Sequence, residues 1–451
     1  MAEYRESGEM GNTEDMGRAW IETDMDNLSH NVSVVRGRLP DSCRIMASVK
    51  ADAYGLGAVN ISRKLNALGV RAFCVASAPE GVELRRHGIE GEILVLGYTH
   101  PGLFPLLPEY GLTQTVLDLE YAELLNNFGE KLQAGAVEKL PAHSIEKLLA
   151  SVKEIFPAPT KENCPTVKEN CPAFAKEKLL IHAKEKLPVH VKVDTGLRRL
   201  GEPSENTDRI MRIFECENLA ITGIYTHFCA ENNGDAGVVF TQEQVERFKT
   251  VCDEVARREV DRRGVGGAAG YYRPKVHAQN SYGIFNRPDL AFDYARTGRA
   301  IYGILGDIGG ADKYGVELWP VLSLKARIST VKTVASGEYI GYGFAYAAPR
   351  DMKIAVLSIG YADGLPRSLS HGVGNVLIDG CKAPIIGWIC MDLTLVDVTG
   401  IENVARGDTA VIIGKSGEAE ITAGDVAEQT GTISTEILSR LGGRLARHSP
   451  C

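Results

Sequence analysis

A lysine at the end of a short apolar segment is the first residue of this sequence that could do chemistry. Residues 44–49 are mostly apolar, Lys50 follows them, and the small residues of 51–57 come next. The carboxyl end of a buried strand is where α/β barrels keep catalytic groups, and partial desolvation there lowers the pKa of a lysine and frees its amine for Schiff-base formation. A lone lysine at a strand end more often reaches solvent, so other residues must decide between the two interpretations.

Polar residues also follow the later predicted strands. The segments 189–193, 220–226, 275–278 and 293–295 are predicted as strands, and they end at Asp194-Thr195, His227, Asn280-Ser281 and Arg296. A barrel assembles its site from the loops that follow several strands. This repetition therefore favours a catalytic site over a solvent-exposed lysine.

The elements that would position these residues alternate between strands and amphipathic helices from Ala19 onwards. This alternation predicts a parallel sheet, which we interpret as a TIM-type (β/α)8 barrel over 18–309, after a polar tail at 1–17. After about residue 309, apolar strands separated by glycine turns replace the helices, so a mainly β C-terminal domain is predicted over 310–451. The strands predicted there include 375–378, 385–389 and 394–398.

Residues 130–187 interrupt the barrel pattern. Glu-Lys-Leu recurs at 130, 138, 146, 177 and 185, and Lys-Glu-Asn-Cys-Pro occurs at 161 and 168. Repeats of this composition predict a surface insertion that is partly helical or disordered. Cys164 and Cys171 are copies of one unit, so they do not indicate a metal or redox pair.

The composition is that of a globular protein, with 44% hydrophobic and 24% charged residues among 451. A net charge of −8 without a basic stripe argues against nucleic acid as a partner. No uncharged apolar run of about 18 residues and no signal peptide occur, so we expect a cytoplasmic protein that does not engage a membrane. The ten cysteines lack metal-ligand spacing, which predicts reduced thiols and no metal site.

Four motifs together resemble a known family. They are Val49-Lys50-Ala51-Asp52-Ala53-Tyr54-Gly55, Lys192-Val193-Asp194-Thr195-Gly196, Ile359-Gly360-Tyr361-Ala362-Asp363-Gly364 and Cys390-Met391-Asp392. In this order, over Arg18 to Arg447 and apart from the insertion, the chain resembles alanine racemases and their serine-racemizing relatives. The resemblance implies an enzyme that uses pyridoxal 5′-phosphate to interconvert L-alanine and D-alanine for peptidoglycan, built as a head-to-tail homodimer with shared active sites.

The resemblance also implies a role for each candidate residue. Lys50 would bind the cofactor aldehyde and act as one base, and Tyr342 of the partner subunit would act as the opposed base. Arg296 would face the pyridine nitrogen and His227 would lie beneath the ring. The phosphate would be bound by Tyr54, Asn280, Ser281, Gly298 and Arg299. The substrate would meet Arg199, Met391 and Tyr361, and Lys192 matches a lysine that is often carbamylated.

Three positions depart from the family pattern. Leu56 stands where relatives often have histidine, Trp388 replaces a common arginine, and no tyrosine occurs near Gly443, where alanine-specific members use one to narrow the pocket. The segment 431–442 resembles the racemase half of the membrane serine racemases of vancomycin resistance. Serine racemization is therefore the first alternative.

Two alternatives come from other functional classes. A non-catalytic cofactor carrier would use a similar barrel without a second domain. A decarboxylase of basic amino acids would need acidic residues facing a distal amine, and we find no such motif. The second domain, with Tyr342 and Met391, therefore favours the racemase.

Overall fold

A computed structural model describes residues 17–137, 140–141, 143–147, 186–230, 234–263, 273–290, 292–305 and 314–449. Residues 1–16 of the predicted tail at 1–17 and most of the predicted insertion at 130–187 lie outside the described residues. The domain boundaries themselves stay a prediction.

The first half of the chain forms a closed barrel, which confirms the predicted TIM-type fold. Its eight parallel strands pair in the order β2-β3-β4-β5-β6-β8-β9-β10, and β10 pairs with β2 to close the ring. After β1 (Ala19–Thr23), the strands are β2 (Arg44–Ser48), β3 (Ala72–Val75), β4 (Glu92–Val95), β5 (Thr113–Val116), β6 (Leu187–Asp194), a short β7 (Glu202–Pro203) beside β6, β8 (Leu219–Tyr225), β9 (Lys275–His277) and β10 (Tyr294–Thr297).

Helices connect most of the barrel strands. They are α1 (Met25–Arg36), α2 (Ala58–Ala67), α3 (Ala78–Arg86), α4 (Leu106–Glu109), α5 (Leu119–Gln133), α6 (Thr207–Phe214), α7 (Gly234–Arg263) and α8 (Ser281–Asn286). Several begin at a residue that accepts hydrogen bonds from the first turn: Asp24 for α1 and Asp118 for α5. Their apolar faces cover the barrel, as the period of 3.6 predicts.

The second half is mainly β, as predicted. Its elements are β11 (Leu322–Val334), β12 (Met352–Leu357), β13 (Asn375–Ile378), β14 (Cys381–Pro384), β15 (Thr394–Asp397), β16 (Thr409–Ser416), β17 (Ala419–Ile421), α9 (Ala423–Thr430), α10 (Ser434–Ser439) and β18 (Ala446–His448). The strand β1 pairs with β11 and β18, so the first described strand of the chain belongs to this second sheet.

The strand predicted at 385–389 is wrong. The structure places the strand β14 at Cys381–Pro384, and Ile385 makes only an isolated bridge to Val396. The cause is a two-residue turn at Asp379 and Gly380, both with positive φ, which starts the return strand at once. The apolar residues that follow are buried by packing and not by strand pairing.

Candidate active site

The strand ends bring the candidate residues of the barrel to one place. Lys50 lies just beyond β2 and is half-buried, while Lys192 and Arg296 lie near the carboxyl ends of β6 and β10. His227 follows β8, and Ser281 follows β9 as the first residue of α8. This is the end of a barrel at which parallel strands present catalytic groups.

Four residues after Lys50 have left-handed backbone conformations. Ala51, Asp52, Ala53 and Tyr54 have φ between +52° and +58°. Each such residue costs about 1–2 kcal/mol relative to the right-handed conformation. Surrounding contacts must therefore hold this left-handed turn, which points Lys50 and Tyr54 into the site.

Contacts from three directions hold the left-handed turn. Glu80 Oε1 accepts a hydrogen bond from Ala51 N at 2.9 Å, and Asp52 Oδ1 accepts one from Ala58 N at 2.7 Å. The side chain of Arg447, on β18, donates from Nε to Gly55 O at 3.0 Å and places Nη2 3.4 Å from Asp52 Oδ2. The second domain therefore stabilises the segment that carries Lys50.

A cradle of donors lies between Tyr54, Ser281 and Gly298. Ser281 Oγ accepts hydrogen bonds from Gly298 N and Ala300 N, each at 3.2 Å, and its own proton can be donated to Thr297 or to a ligand. A Cβ at position 298 would lie 2.7 Å from Tyr54 Oη, so only glycine leaves the cradle open. Hydroxyls and backbone N–H groups in a glycine-containing turn are the donors that phosphate groups bind. These residues fit a phosphate ester.

Two other predicted phosphate residues support the cradle from its edges. Asn280 Oδ1 accepts hydrogen bonds from Tyr282 N and Gly283 N, and Asn280 Nδ2 donates to Phe228 O at 3.2 Å. Arg299 donates from Nε to Ile304 O at 3.2 Å, and its guanidinium lies over the Tyr282 ring at 5.2 Å. In these contacts both residues shape the turns beside Ser281 and Gly298.

Arg296 is a buried cation at the centre of the site. Its side chain is 6% exposed; Nη2 donates to Thr226 O at 2.7 Å and Ala278 O at 2.9 Å. The same Nη2 lies 3.1 Å from His227 Nδ1. Burial and the neighbouring cations, Arg296 first among them, lower the pKa of His227 well below its usual value. The His227 ring is therefore neutral, and its Nδ1 can accept a hydrogen bond from the guanidinium group of Arg296, which stays charged.

A chain of side chains links Arg296 to the opposite end of the barrel. Arg296 Nη1 lies 2.6 Å from His277 Nδ1, His277 Nε2 lies 3.0 Å from His190 Nδ1, and His190 Nε2 lies 2.8 Å from Glu92 Oε1. Arginine can only donate, so we assign the Nε2–H tautomer to both histidines, which directs the two hydrogen bonds towards His190 and its close polar contact with Glu92. We call these four residues the barrel relay.

The charges around the barrel relay fit this polarity. Burial and the charge of Arg296 lower the pKa of His277 well below its usual value, which keeps its ring neutral. Burial alone would raise the pKa of Glu92, but the contact with His190 Nε2 and the charge of Lys275 lower it to about 2. A carboxylate thus ends the relay.

Lys192 and Arg199 add two further cations near the site. Lys192 is 5% exposed, and burial together with the charges of Arg199 and Arg296 lowers its pKa to about 8. Arg199 is exposed on the loop after β6. The barrel end therefore concentrates positive charge, which suits an anionic ligand.

The remaining predicted residues lie on the second domain. Tyr342, Tyr361 and Met391 are 69%, 42% and 54% exposed. Backbone hydrogen bonds join the last two loops, from Tyr361 N to Cys390 O at 3.1 Å and from Ala362 N to Met391 O at 3.0 Å. Among the described residues, no hydrogen bond, ion pair or ring contact joins Tyr342 to Lys50. One copy of the chain does not bring the two predicted bases together.

Glu92, His190 and His277 are not among the residues that the sequence predicts for the site. A signal is present, because His190 lies between the buried Val189 and Val191 in the apolar part of β6. A single buried histidine is usually structural, and only its contacts with residues of other strands reveal the relay. No group of three or more metal-ligating side chains occurs in the part of the chain that the structure describes.

Family models match most of the chain. The model for the alanine racemase N-terminal domain matches residues 23–143 and 151–306, and the model for the alanine racemase C-terminal domain matches 321–449. No described helix combines the length and apolar character needed to cross a lipid bilayer.

Two similar curated proteins differ in length. An amino-acid racemase from Enterococcus faecalis is 35% identical over 96% of this chain and 52% of its own, so the chain spans about half of that relative. An alanine racemase from Nostoc sp. is 32% identical over 95% of both chains.

Two solved structures share the fold along their whole length. Alanine racemase from Clostridium difficile 630 has a TM-score of 0.76 and 28% identity over 95% of both chains. Alanine racemase from Bartonella henselae, with covalently bound pyridoxal phosphate, has a TM-score of 0.71 and 26% identity over 96% of this chain and 100% of its own.

Proposed function

Because this chain belongs to the alanine racemase family, we propose that it interconverts L-alanine and D-alanine with pyridoxal 5′-phosphate as its cofactor, and so supplies D-alanine for peptidoglycan. The observation that supports this most is the convergence of a lysine, a buried arginine and an open serine–glycine cradle at one end of the barrel. Each group has the chemistry that one part of this cofactor requires.

The residues of the barrel would hold the cofactor at three points. Lys50 would bind its aldehyde, Arg296 its ring nitrogen, and the cradle of Tyr54, Ser281 and Gly298 its phosphate. The bound cofactor supplies an acceptor for the electron pair that remains when the α-proton leaves. Arg296 does not give up a proton readily, so the ring nitrogen stays unprotonated, which restrains transamination.

Racemization needs a proton carrier on each face of the substrate. Lys50 would remove or return the proton on one face, and Tyr342 would do so on the other. A tyrosine with an unperturbed pKa of ~10 is a poor base at neutral pH. The cluster of Lys192, Arg199 and Arg296 offers the positive surroundings that lower the pKa of a phenol brought to this end of a barrel.

A head-to-tail homodimer would bring Tyr342 to a barrel. Tyr342 is exposed and has no bond to Lys50 of its own chain. The same loop exposes Phe344 and Tyr339, whose rings are 5.0 Å apart. Exposed aromatic residues of this kind mark interaction surfaces. A second copy would cover them and complete both sites.

The substrate carboxylate would meet Arg199 and the backbone N–H of Met391, while Tyr361 would line the entrance. Lys192, with a pKa of about 8, is neutral in a substantial fraction of molecules near that pH. A neutral amine can take up carbon dioxide as a carbamate. The resulting anion would lie close to Arg199 and Arg296, so carbamylation would replace a like charge by an opposite one.

Serine racemization is the second candidate. Gly443 offers no side chain where alanine-specific members carry a tyrosine, and the relative from Enterococcus faecalis is named an amino-acid racemase. A smaller residue leaves space for the serine hydroxymethyl group. The absence of one side chain lets serine enter the pocket, whereas a preference for serine over alanine also requires a hydrogen-bond partner for the serine hydroxyl.

Purified enzyme should be assayed with L-alanine, D-alanine, L-serine and D-serine, with kcat/KM measured for each. We expect higher kcat/KM for alanine; a higher value for serine would overturn that choice within the racemase class. Lys50→Ala should abolish the absorbance of the lysine-bound cofactor, and persistence of that absorbance would show that another lysine binds it.

A further inference from the structure

A second cavity lies at the other end of the barrel. It has a volume of about 420 Å³ and opens between the amino ends of β2, β3 and β10. We call it the lower pocket. Its volume falls within the range of sites for small molecules, about 300–1,000 Å³. The carboxyl end, with Lys50, lies one strand length away on the opposite face.

Three arginines line the lower pocket. Arg36 donates from Nη2 to Leu68 O at 2.6 Å, and Arg71 donates from Nη1 to Asn66 O at 2.6 Å. These bonds fix the two guanidinium groups and leave further N–H donors on each. The Arg44 side chain makes no hydrogen bond or ion pair with the described residues.

The charge of the lower pocket is opposite to that of the chain. Asp41 is the one carboxylate in its lining, and Glu90 Oε2 lies 3.9 Å from Arg71 Nε beside it, so three guanidinium groups face two carboxylates, whereas the whole chain carries a net charge of −8. A concave cluster of cations concentrates anions. Guanidinium groups bind phosphate oxygens through paired N–H donors, and three of them around one space suit the three oxygens of a phosphate dianion.

The floor of the lower pocket contacts the barrel relay. Tyr294 lines the pocket, and its hydroxyl donates to Glu92 Oε2 at 2.9 Å. Lys275 Nζ donates to the same hydroxyl at 2.7 Å and to Glu92 Oε2 at 3.1 Å. From Glu92 the barrel relay runs through two histidines to Arg296. The pocket and the candidate active site are thus joined by a path of hydrogen bonds and one 2.8 Å polar contact, between His190 Nε2 and Glu92 Oε1.

We propose that the lower pocket binds a small phosphate-bearing metabolite, and that its binding alters turnover through Tyr294 and the barrel relay. An anion above Tyr294 attracts Lys275 and weakens its hold on Glu92. The carboxylate then attracts the Nε2–H group of His190 more strongly, which strengthens in turn the hydrogen bond that His277 accepts from Arg296. The regulatory part rests on the proposed racemase function, while the binding part does not.

Inorganic pyrophosphate is a suitable probe, titrated calorimetrically into the cofactor-loaded enzyme at constant ionic strength. We expect one saturable site outside the cofactor site, with Kd raised at least about tenfold in Arg44→Gln and Arg71→Gln. Arg406→Gln, which removes an exposed arginine of the second domain, is the matched control and should bind as the wild type does. Absence of saturable binding, or equal Kd in all four proteins, would overturn the site.

The regulatory part is tested by kcat/KM for alanine with and without pyrophosphate. We expect a change of about twofold or more in the wild type, none in Arg44→Gln, and none in Glu92→Gln even though that variant still binds the probe. Binding without any change in kcat/KM would overturn the regulation. If the protein binds pyrophosphate in calorimetry but does not racemize alanine, the proposed function is overturned, whereas the proposed binding site in the lower pocket is not.

Discussion

Replacing Arg447 by methionine should loosen the left-handed turn that carries Lys50 and Tyr54. The Arg447 side chain is 4% exposed and contacts that turn twice, through Gly55 O and Asp52 Oδ2. It also donates to Leu445 O at 3.2 Å, within its own segment. Methionine keeps much of the apolar stem and removes the cation, so Asp52 would stay in place without its partner.

The structure sets the size of the effect. Breaking a buried ion pair from one side costs about 3–5 kcal/mol, because the remaining charge is still buried. Asp52 keeps the hydrogen bond from Ala58 N and is 14% exposed, so we expect Arg447→Met to lower the free energy of unfolding by about 3 kcal/mol, the lower end of that range. Asp52→Asn removes the remaining charge, and the double variant should recover about 1–2 kcal/mol.

The loss of stability in Arg447→Met should depend on pH. Burial already raises the pKa of Asp52, against the opposing effects of Arg447 and the Ala58 N–H group. Without Arg447 this pKa rises further. A carboxyl group with a raised folded-state pKa keeps its contribution below the unfolded-state pKa and loses it as pH rises through the folded-state value. The deficit of Arg447→Met should therefore be larger at pH ~8 than at pH ~5.

Urea unfolding of the wild type, both single variants and the double variant at these two pH values would measure the effect. Arg440→Met is the control, because Arg440 is exposed and pairs with Glu436 on the surface, where a pair contributes at most about 1 kcal/mol. The affinity for pyridoxal phosphate should fall in Arg447→Met and not in Arg440→Met. A free energy of unfolding within about 0.5 kcal/mol of the wild type, or an equal deficit at both pH values, would refute this reasoning.

Three further predictions follow from the site. Tyr342→Phe should keep the absorbance of bound cofactor but lower kcat by about 10²–10⁴, unequally in the two directions; equal loss of cofactor affinity and turnover would assign Tyr342 a structural role. Because a carbamate forms from the neutral amine, ¹³C-bicarbonate should give a protein-bound NMR resonance that grows as pH rises through about 8, the pKa of Lys192. Lys192→Gln should abolish this resonance. An unchanged resonance in the variant would show that the carbamate forms on another group. Folding lowers the pKa of Glu92 from 4.5 to about 2, and this shift contributes about 3 kcal/mol to the free energy of unfolding, which is lost as pH falls through this range. Acid unfolding of Glu92→Gln should therefore lack this part of the pH dependence. Identical acid unfolding profiles of the variant and the wild type would argue against a native carboxylate at this position.

Sequence patterns predict barrel strands such as β2 and β8 well because each is a short, mostly apolar run with polar residues directly after it. The strand β2 was predicted at 44–49 and found at Arg44–Ser48. The same rule failed at 385–389, where an apolar run is buried in a loop, because apolarity reports burial and not backbone pairing. The helix α9 was also missed in a segment of small residues.

The left-handed turn after Lys50 could not be predicted from its residues. Two alanines, an aspartate and a tyrosine do not favour positive φ, and contacts with Glu80 and Arg447 impose it. Arg447 is almost four hundred residues away in sequence. The barrel relay was missed for the same reason, since Glu92, His190 and His277 belong to three strands that only the closed barrel brings together.

A hybrid dimer tests the central claim most directly. One chain carries Lys50→Ala and the other Tyr342→Phe, and two affinity tags allow isolation of the protein that contains both. If each site takes Lys50 from one copy and Tyr342 from the other, one site of the hybrid keeps both wild-type residues. The hybrid should then have about half of the wild-type kcat, while both variant homodimers have at most about one-hundredth. A hybrid that binds the cofactor but is as inactive as the homodimers would contradict a racemase with shared sites.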